Sequence, residues 1–175
     1  MEPEPPLHPQ IQPLAFLLGT WTGEGSGEYP TISPFRYGEE VRFWHVGKPF
    51  LVYSQRTWAL DDGRPLHGEM GYWRLQPGGD VELVLAHPTG VVEVATGTLH
   101  GRRIAVASTT LGLTPTAKHV DRLERTFELT DGCLSYEIAM AAVGVPLTHH
   151  LSARLEQKDP DGTPERKPQT AGTSI

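Results

Sequence analysis

The chain has one cysteine in 175 residues, Cys133. It has no partner for an internal disulfide, so the fold does not depend on an oxidising compartment. No apolar run approaches the roughly 18–20 residues that cross a membrane as a helix. The start, where Pro3, Pro5, Pro6 and Pro9 stand among acidic residues, lacks the basic and apolar blocks of a signal peptide. These absences predict a cytoplasmic protein. Basic blocks are missing too: 15 Lys+Arg against 21 Asp+Glu leave a formal net charge of −6. That balance argues against nucleic acid and against an anionic membrane surface as partners. There is also no nucleophile elbow, no phosphate-cradling loop and no cysteine pair of zinc type.

What the chain does have is glycine in an unusual place. Gly19-Thr20-Trp21-Thr22-Gly23-Glu24-Gly25-Ser26-Gly27-Glu28-Tyr29 reads as a strand in which glycines alternate with other residues. Glycine weakens a strand and is tolerated where another backbone comes close or the sheet bends sharply. A first strand that closes a barrel meets both conditions, with Trp21 plugging one end. Before it, the apolar stretch 11–18 predicts a short helix ended by Gly19. Residues 1–10 read as a flexible, proline-rich arm, residues 11–158 as a barrel domain, and residues 159–175, without apolar periodicity, as a disordered tail.

The rest falls into strand-like runs at about 36–46, 49–60, 66–76, 80–87, 91–100, 102–111, 119–130, 133–143 and 147–157. Gly47-Lys48-Pro49, Asp61-Asp62-Gly63, Pro77-Gly78-Gly79-Asp80, Thr89-Gly90 and Asp131-Gly132 separate runs with the chemistry of tight turns. Ten strands joined this way leave no room for crossover helices, so the sheet is an antiparallel meander. A meander that long closes on itself, and a barrel of more than about eight strands has room for a ligand. The predicted fold is all-β: a ten-stranded antiparallel up-and-down β-barrel with an internal cavity and a short N-terminal helix.

Titratable residues offer the chemistry. Glu39 and Glu40 are adjacent on a strand and point to opposite faces, which predicts one surface and one edge residue rather than a pair. His45, His87 and His119 fall at strand ends, where surface or turn roles are expected, and His8 and His100 lie in the arm and a turn. His67 stands inside a strand. The pair His149-His150 sits on the last strand, so one of the two faces the interior. An imidazole there is either a satisfied core residue or an axial ligand to a metal centre. No second protein ligand falls at usable spacing, which speaks against a zinc site. Strict alternation groups His149 with Leu147, Leu151, Ala153 and Leu155; a bulge near Thr148 would instead turn His150 inward.

The run Gly19-Thr20-Trp21-Thr22-Gly23-Glu24-Gly25, followed by Tyr29-Pro30-Thr31-Ile32, resembles the GxWxGxG…YPT pattern of the nitrobindins. The resemblance continues through Tyr37-Gly38-Glu39-Glu40-Val41, Gly71-Tyr72-Trp73, Thr89 to Glu93 and Met140 to Pro146-Leu147 and His150-Leu151. It implies a barrel holding haem b, ferric at rest, on one histidine, which binds nitric oxide and converts peroxynitrite to nitrate. By motif the axial ligand falls on His150. Thr31, Leu66, His67 and Met140 match positions that line the haem pocket, with His67 on the side away from the ligand. His149 matches a variable position. Small-molecule ligands and a monomer or homodimer are expected. The rival reading is a non-enzymatic carrier of an apolar ligand, lipocalin- or fatty-acid-binding-like, with Arg154 stacked on Trp21. Nitric oxide storage or sensing would use the same haem site.

Overall fold

Turns of two to a few residues leave each strand pairing with its sequence neighbours. A computed structural model of the protein, which describes residues 5–158, has the strands β1 (Gly19–Tyr29), β2 (Ile32–Trp44), β3 (Leu51–Ala59), β4 (Pro65–Leu75), β5 (Asp80–His87), β6 (Val91–His100), β7 (Arg103–Leu113), β8 (Val120–Thr130), β9 (Cys133–Ala142) and β10 (Val145–Gln157). Every seam is antiparallel, and β1 pairs with β10 to close the barrel. The fold expected from the sequence is therefore the one observed. Strand limits differ mainly where turns are tighter than read. Only Pro30 and Thr31 separate β1 from β2, and Val143-Gly144, with φ of 49° and 81°, turns β9 directly into β10.

The helix is a 3₁₀ helix over Pro9–Leu17, rather than 11–18. Pro13 lies inside it and has no N–H to donate, which disfavours an α ladder, and the buried residues Ile11, Leu14 and Leu17 recur at the 3₁₀ period of three. His8 caps it, accepting from the Gln10 backbone N–H at 3.2 Å. Part of the segment read as an arm is thus in the fold, and Leu7 packs on the core. Residues 1–4 and the tail 159–175 lie outside the described residues. The helix shuts one end of the barrel: Trp21 is buried there and its indole N–H donates to the Leu17 carbonyl at 2.7 Å. Trp73, Phe43, Tyr53 and Phe127 pack edge to face or tilted beneath it, so the end nearer the helix is solid core.

Glycines on β1 keep the inner wall thin. A Cβ on Gly23 would strike the Arg154 carbonyl and stand 3.0 Å from the Leu155 Cα, while one on Gly25 would enter the Tyr37 ring. Backbone cannot step aside without opening the β1–β10 seam that closes the barrel. Gly23→Val should therefore cost about 3 kcal/mol or more, above the usual overpacking range, read as a fall in denaturation midpoint. An unchanged midpoint would mean that the closing seam tolerates the side chain.

Candidate functional site

Strand directions set the site. The β1–β2, β3–β4, β5–β6, β7–β8 and β9–β10 connections all lie at the end opposite the helix. Thr31, Leu66, His67, Met140 and His150, chosen from the sequence, belong to this mouth, as do His87, His119 and His149. Thr31 is exposed in the β1–β2 turn, Leu66 is 40% exposed on β4, and His67 and Met140 are half-buried. Of the motif residues, Gly19 and Trp21 lie at the helix end and Gly23 and Gly25 line the seam between, which gives all four structural roles. Arg154 does not stack on Trp21. It is exposed and lines a groove of about 560 Å³ on the outer wall, so this support for the carrier reading is lost.

The conflict over the paired histidines is settled by register. Leu155, Ala153 and Leu151 pair with Leu134, Tyr136 and Ile138, all on the inner face, but the next pair is His149 with Ala139. His150 is the extra residue of a bulge, and beyond it the phase of β10 is reversed. His149 is exposed and lines an outer groove with Phe35. His150 is half-buried and stands edge-on to Tyr29, with ring centroids 5.2 Å apart. Tyr29 is 6% exposed and reaches past β10 to β9, where its hydroxyl accepts from the Ala142 N–H at 3.0 Å and lies 3.3 Å from the Met140 and Ala142 carbonyls. It thus ties β1 to β9 beside the irregular stretch of β10. His150 Nδ1 is 3.0 Å from the Glu28 carbonyl oxygen. A carbonyl only accepts, so Nδ1 carries a proton, and in the neutral ring the lone pair then lies on Nε2.

Sequence reading missed a charged cluster inside the barrel. Arg125 on β8 donates to both oxygens of Glu69 on β4, at 2.8 and 3.0 Å, and to Glu93 on β6 at 2.7 Å. Tyr53 on β3 donates to Glu69 at 2.7 Å. The His87 ring lies between the carboxylates, Nδ1 3.3 Å from Glu69 and Nε2 3.2 Å from Glu93. Burial opposes ionisation of Glu69, but the Arg125 guanidinium, aided by His87, outweighs it and holds the carboxyl down to about 2. Burial likewise opposes ionisation of Glu93, which Arg125 and His87 hold below the usual range. Burial lowers His67, with His87, Arg125 and His150 acting the same way against Glu69. That keeps the His67 ring neutral near pH 7.

Two expectations are corrected here. Glu39 and Glu40 do face opposite sides, but Glu39 is fully buried rather than at a surface or edge. It accepts from Gln55 at 2.8 Å and Tyr136 at 2.7 Å, and burial pushes it up to about 7 against those bonds. His87 is not a surface residue either, with its side chain 7% exposed. A signal was available: Glu39, Gln55, Glu69, Glu93 and Arg125 all fall in phase with the apolar residues of their strands, as Leu123-Glu124-Arg125-Thr126-Phe127 shows. Charge on the apolar phase marks either a misread face or a buried pair.

A closed β-barrel with one end plugged and histidines around an open, apolar-rimmed mouth defines a small-molecule-binding barrel. More particularly, the chain belongs to the THAP4-like, heme-binding beta-barrel domain family, the nitrobindins, whose family model matches residues 10–157. It is 56% identical over 156 residues to Peroxynitrite isomerase 2 of Mycobacterium marinum, covering 87% of this chain and 97% of that one. Peroxynitrite isomerase of Nocardia farcinica is 51% identical over 162 residues, 89% of this chain and 96% of its own. The crystal structure of Rv2717c from M. tuberculosis superposes with a TM-score of 0.83 at 49% identity, over 88% of this chain and all of that one (100%). Among the described residues no helix is long and apolar enough to cross a membrane.

Proposed function

We propose that the chain is a cytoplasmic ferric haem b protein that binds nitric oxide and isomerises peroxynitrite to nitrate, with His150 as the axial ligand. The observation that carries this is the free Nε2 of His150 at the mouth, its tautomer set by the Glu28 carbonyl. Around it Ile32, Leu60, Leu66, Leu113, Val143 and Leu147 are exposed apolar residues at the same end. Such a rim suits a flat apolar macrocycle and has no other burden in the fold. The residues therefore fit the group.

Ferric haem, when bound, would supply a Lewis-acidic iron to a small anion. His150 would hold the iron through Nε2, with the hydrogen bond from Nδ1 to the Glu28 carbonyl making the ring more basic and holding its plane. Tyr29 packs against the ring and limits its rotation. β4 lies across the barrel from β10, four seams away one way and six the other, so His67 faces the ligand side. There its neutral ring can donate one hydrogen bond to an anion without forming a tight ion pair with it. The apolar rim excludes water from the reacting anion.

Titration of the full chain with ferric haem should give a one-to-one complex with a Soret band of five-coordinate ferric type. That complex should raise the nitrate yield from peroxynitrite above that of free haem. Haem binding no tighter than to an unrelated barrel, with tight fatty-acid binding, would favour the carrier reading instead.

A further inference from the structure

The cluster behind the mouth holds unbalanced charge. Glu69 and Glu93 face Arg125 alone among fixed cations, and the nearest further carboxyl, Glu39, is pushed toward its neutral form by burial. Glu69 on β4, His87 on β5, Glu93 on β6, Arg125 on β8 and Tyr53 on β3 are the polar groups that meet there. One negative charge remains in a site where the His87 side chain is 7% and that of Glu69 5% exposed. Burying uncompensated charge is costly, so either a proton on His87 or a divalent cation that carries one bound anion must offset it.

Geometry favours the cation. His67, Glu69 and His87 converge: each offers one ligand atom, and the three lie within 4.8 Å of one another. His87 Nδ1 stands 3.5 Å from His67 Nε2 and 3.3 Å from Glu69 Oε2. Nitrogen and oxygen ligands about 2.0–2.1 Å from a tetrahedral ion stand about 3.3–3.4 Å apart. A hydrogen bond between these two nitrogens needs a proton on one of them, whereas a metal ion uses the lone pairs of both. Outer partners are in place as well. His87 presents Nε2 to Glu93, the carboxylate–histidine–metal arrangement, and Glu69 is held by Arg125 and Tyr53.

We propose that His67, Glu69 and His87 form a second, non-haem site for a divalent transition cation of zinc or ferrous type, with a small anion completing the coordination and balancing the charge. Two imidazoles and one carboxylate are the donor set that borderline divalent ions take with an open position. Spacing along the chain hides it, because His67 and Glu69 are two apart on one strand and His87 comes from the strand beside it.

The test titrates Co²⁺ and then Zn²⁺ into the full chain freed of haem, so the result does not depend on haem binding. One Co²⁺ per chain should bind with the intense visible absorption of a four- or five-coordinate ion, and Zn²⁺ should displace it. His67→Ala, which removes a ligand without touching the Arg125 ion pairs, should weaken binding by more than the roughly 10–100-fold typical of losing an outer partner. Glu93→Gln should weaken it within that range, and His119→Ala should change nothing. A His149→Ala/His150→Ala double variant should keep the full stoichiometry; if it loses the ion, the metal sits on that pair and the proposal fails. Absence of one-to-one binding in the parent chain, with both ring N–H protons of His87 seen by NMR, would show that a proton balances the charge and would overturn the site.

Discussion

His150→Ala should lose stable haem binding and the five-coordinate ferric spectrum, while His149→Ala keeps both. The two residues are adjacent, and in a regular strand only one would face in. The bulge between His149 and Leu151 makes that one His150. Its Nε2 would supply the only bond from protein to iron, so the loss should exceed the roughly 10–100-fold that removal of an outer partner causes. His149, at the same end of the barrel, is exposed and lines an outer groove with Phe35. His67→Ala should retain haem but change the rate of ligand binding. Haem titrations of the three variants, followed by nitrate yield, check this. Should His149→Ala be the haem-deficient one, the bulge does not hold in the loaded protein. If neither matters, β10 does not carry the ligand.

Arg125→Met should cost about 3–5 kcal/mol, because it leaves Glu69 and Glu93 buried without their cation. Methionine fills most of the space, so charge rather than cavity dominates. The Glu69 contribution to the pH dependence should change sign with it. In the parent chain the Glu69 carboxyl is held down to about 2. Its stabilisation is present above the unfolded carboxylate's ordinary value and is lost as pH falls toward 2. In the variant the same carboxyl keeps its burial, Tyr53 and His87 but loses the guanidinium, so its folded value rises and its part of the stability is regained on acidification. Between pH 7.5 and 5 the urea midpoint of Arg125→Met should rise relative to that of the parent, whose Glu69 contribution is still whole at pH 5 while buried Glu39, raised to about 7, acts alike in both proteins. Glu69→Gln/Glu93→Gln/Arg125→Met, which removes every formal charge of the clasp, should recover much of the loss. Equal midpoints for Arg125→Met and parent at both pH values would mean that the clasp does not bear on folding.

Most of the fold was legible because its signals are local. Asp131-Gly132 supplies φ of 52° and 75° for a two-residue turn, and such pairs mark hairpins wherever they stand. Ten runs joined by such turns have no chain left for crossovers, so meander and closure follow from counting. The glycine strand, too, announced the seam it makes with β10. Motif matching named the mouth residues, since the spacing from Gly19 to Thr31 and from Pro146 to Leu151 is intact in the chain.

Two matters lay beyond it. The facing of His149 and His150 depends on which residue of β9 each opposes. That register is set across the seam by Ala139 and Ile138 and by Tyr29 reaching over from β1. Alternation within β10 alone gives the wrong answer. The charged cluster joins residues 56 and 32 positions apart, Arg125 with Glu69 and with Glu93. Each of these looks, on its own strand, like a solvated charge at an awkward phase. By itself the sequence determined the strands, the turns and the closed barrel, because hydrogen-bonded turns and period-two burial are written residue by residue. Only the tertiary structure decided which histidine faces in and which charges share the interior, because closing the barrel sets partners across seams that no single strand contains.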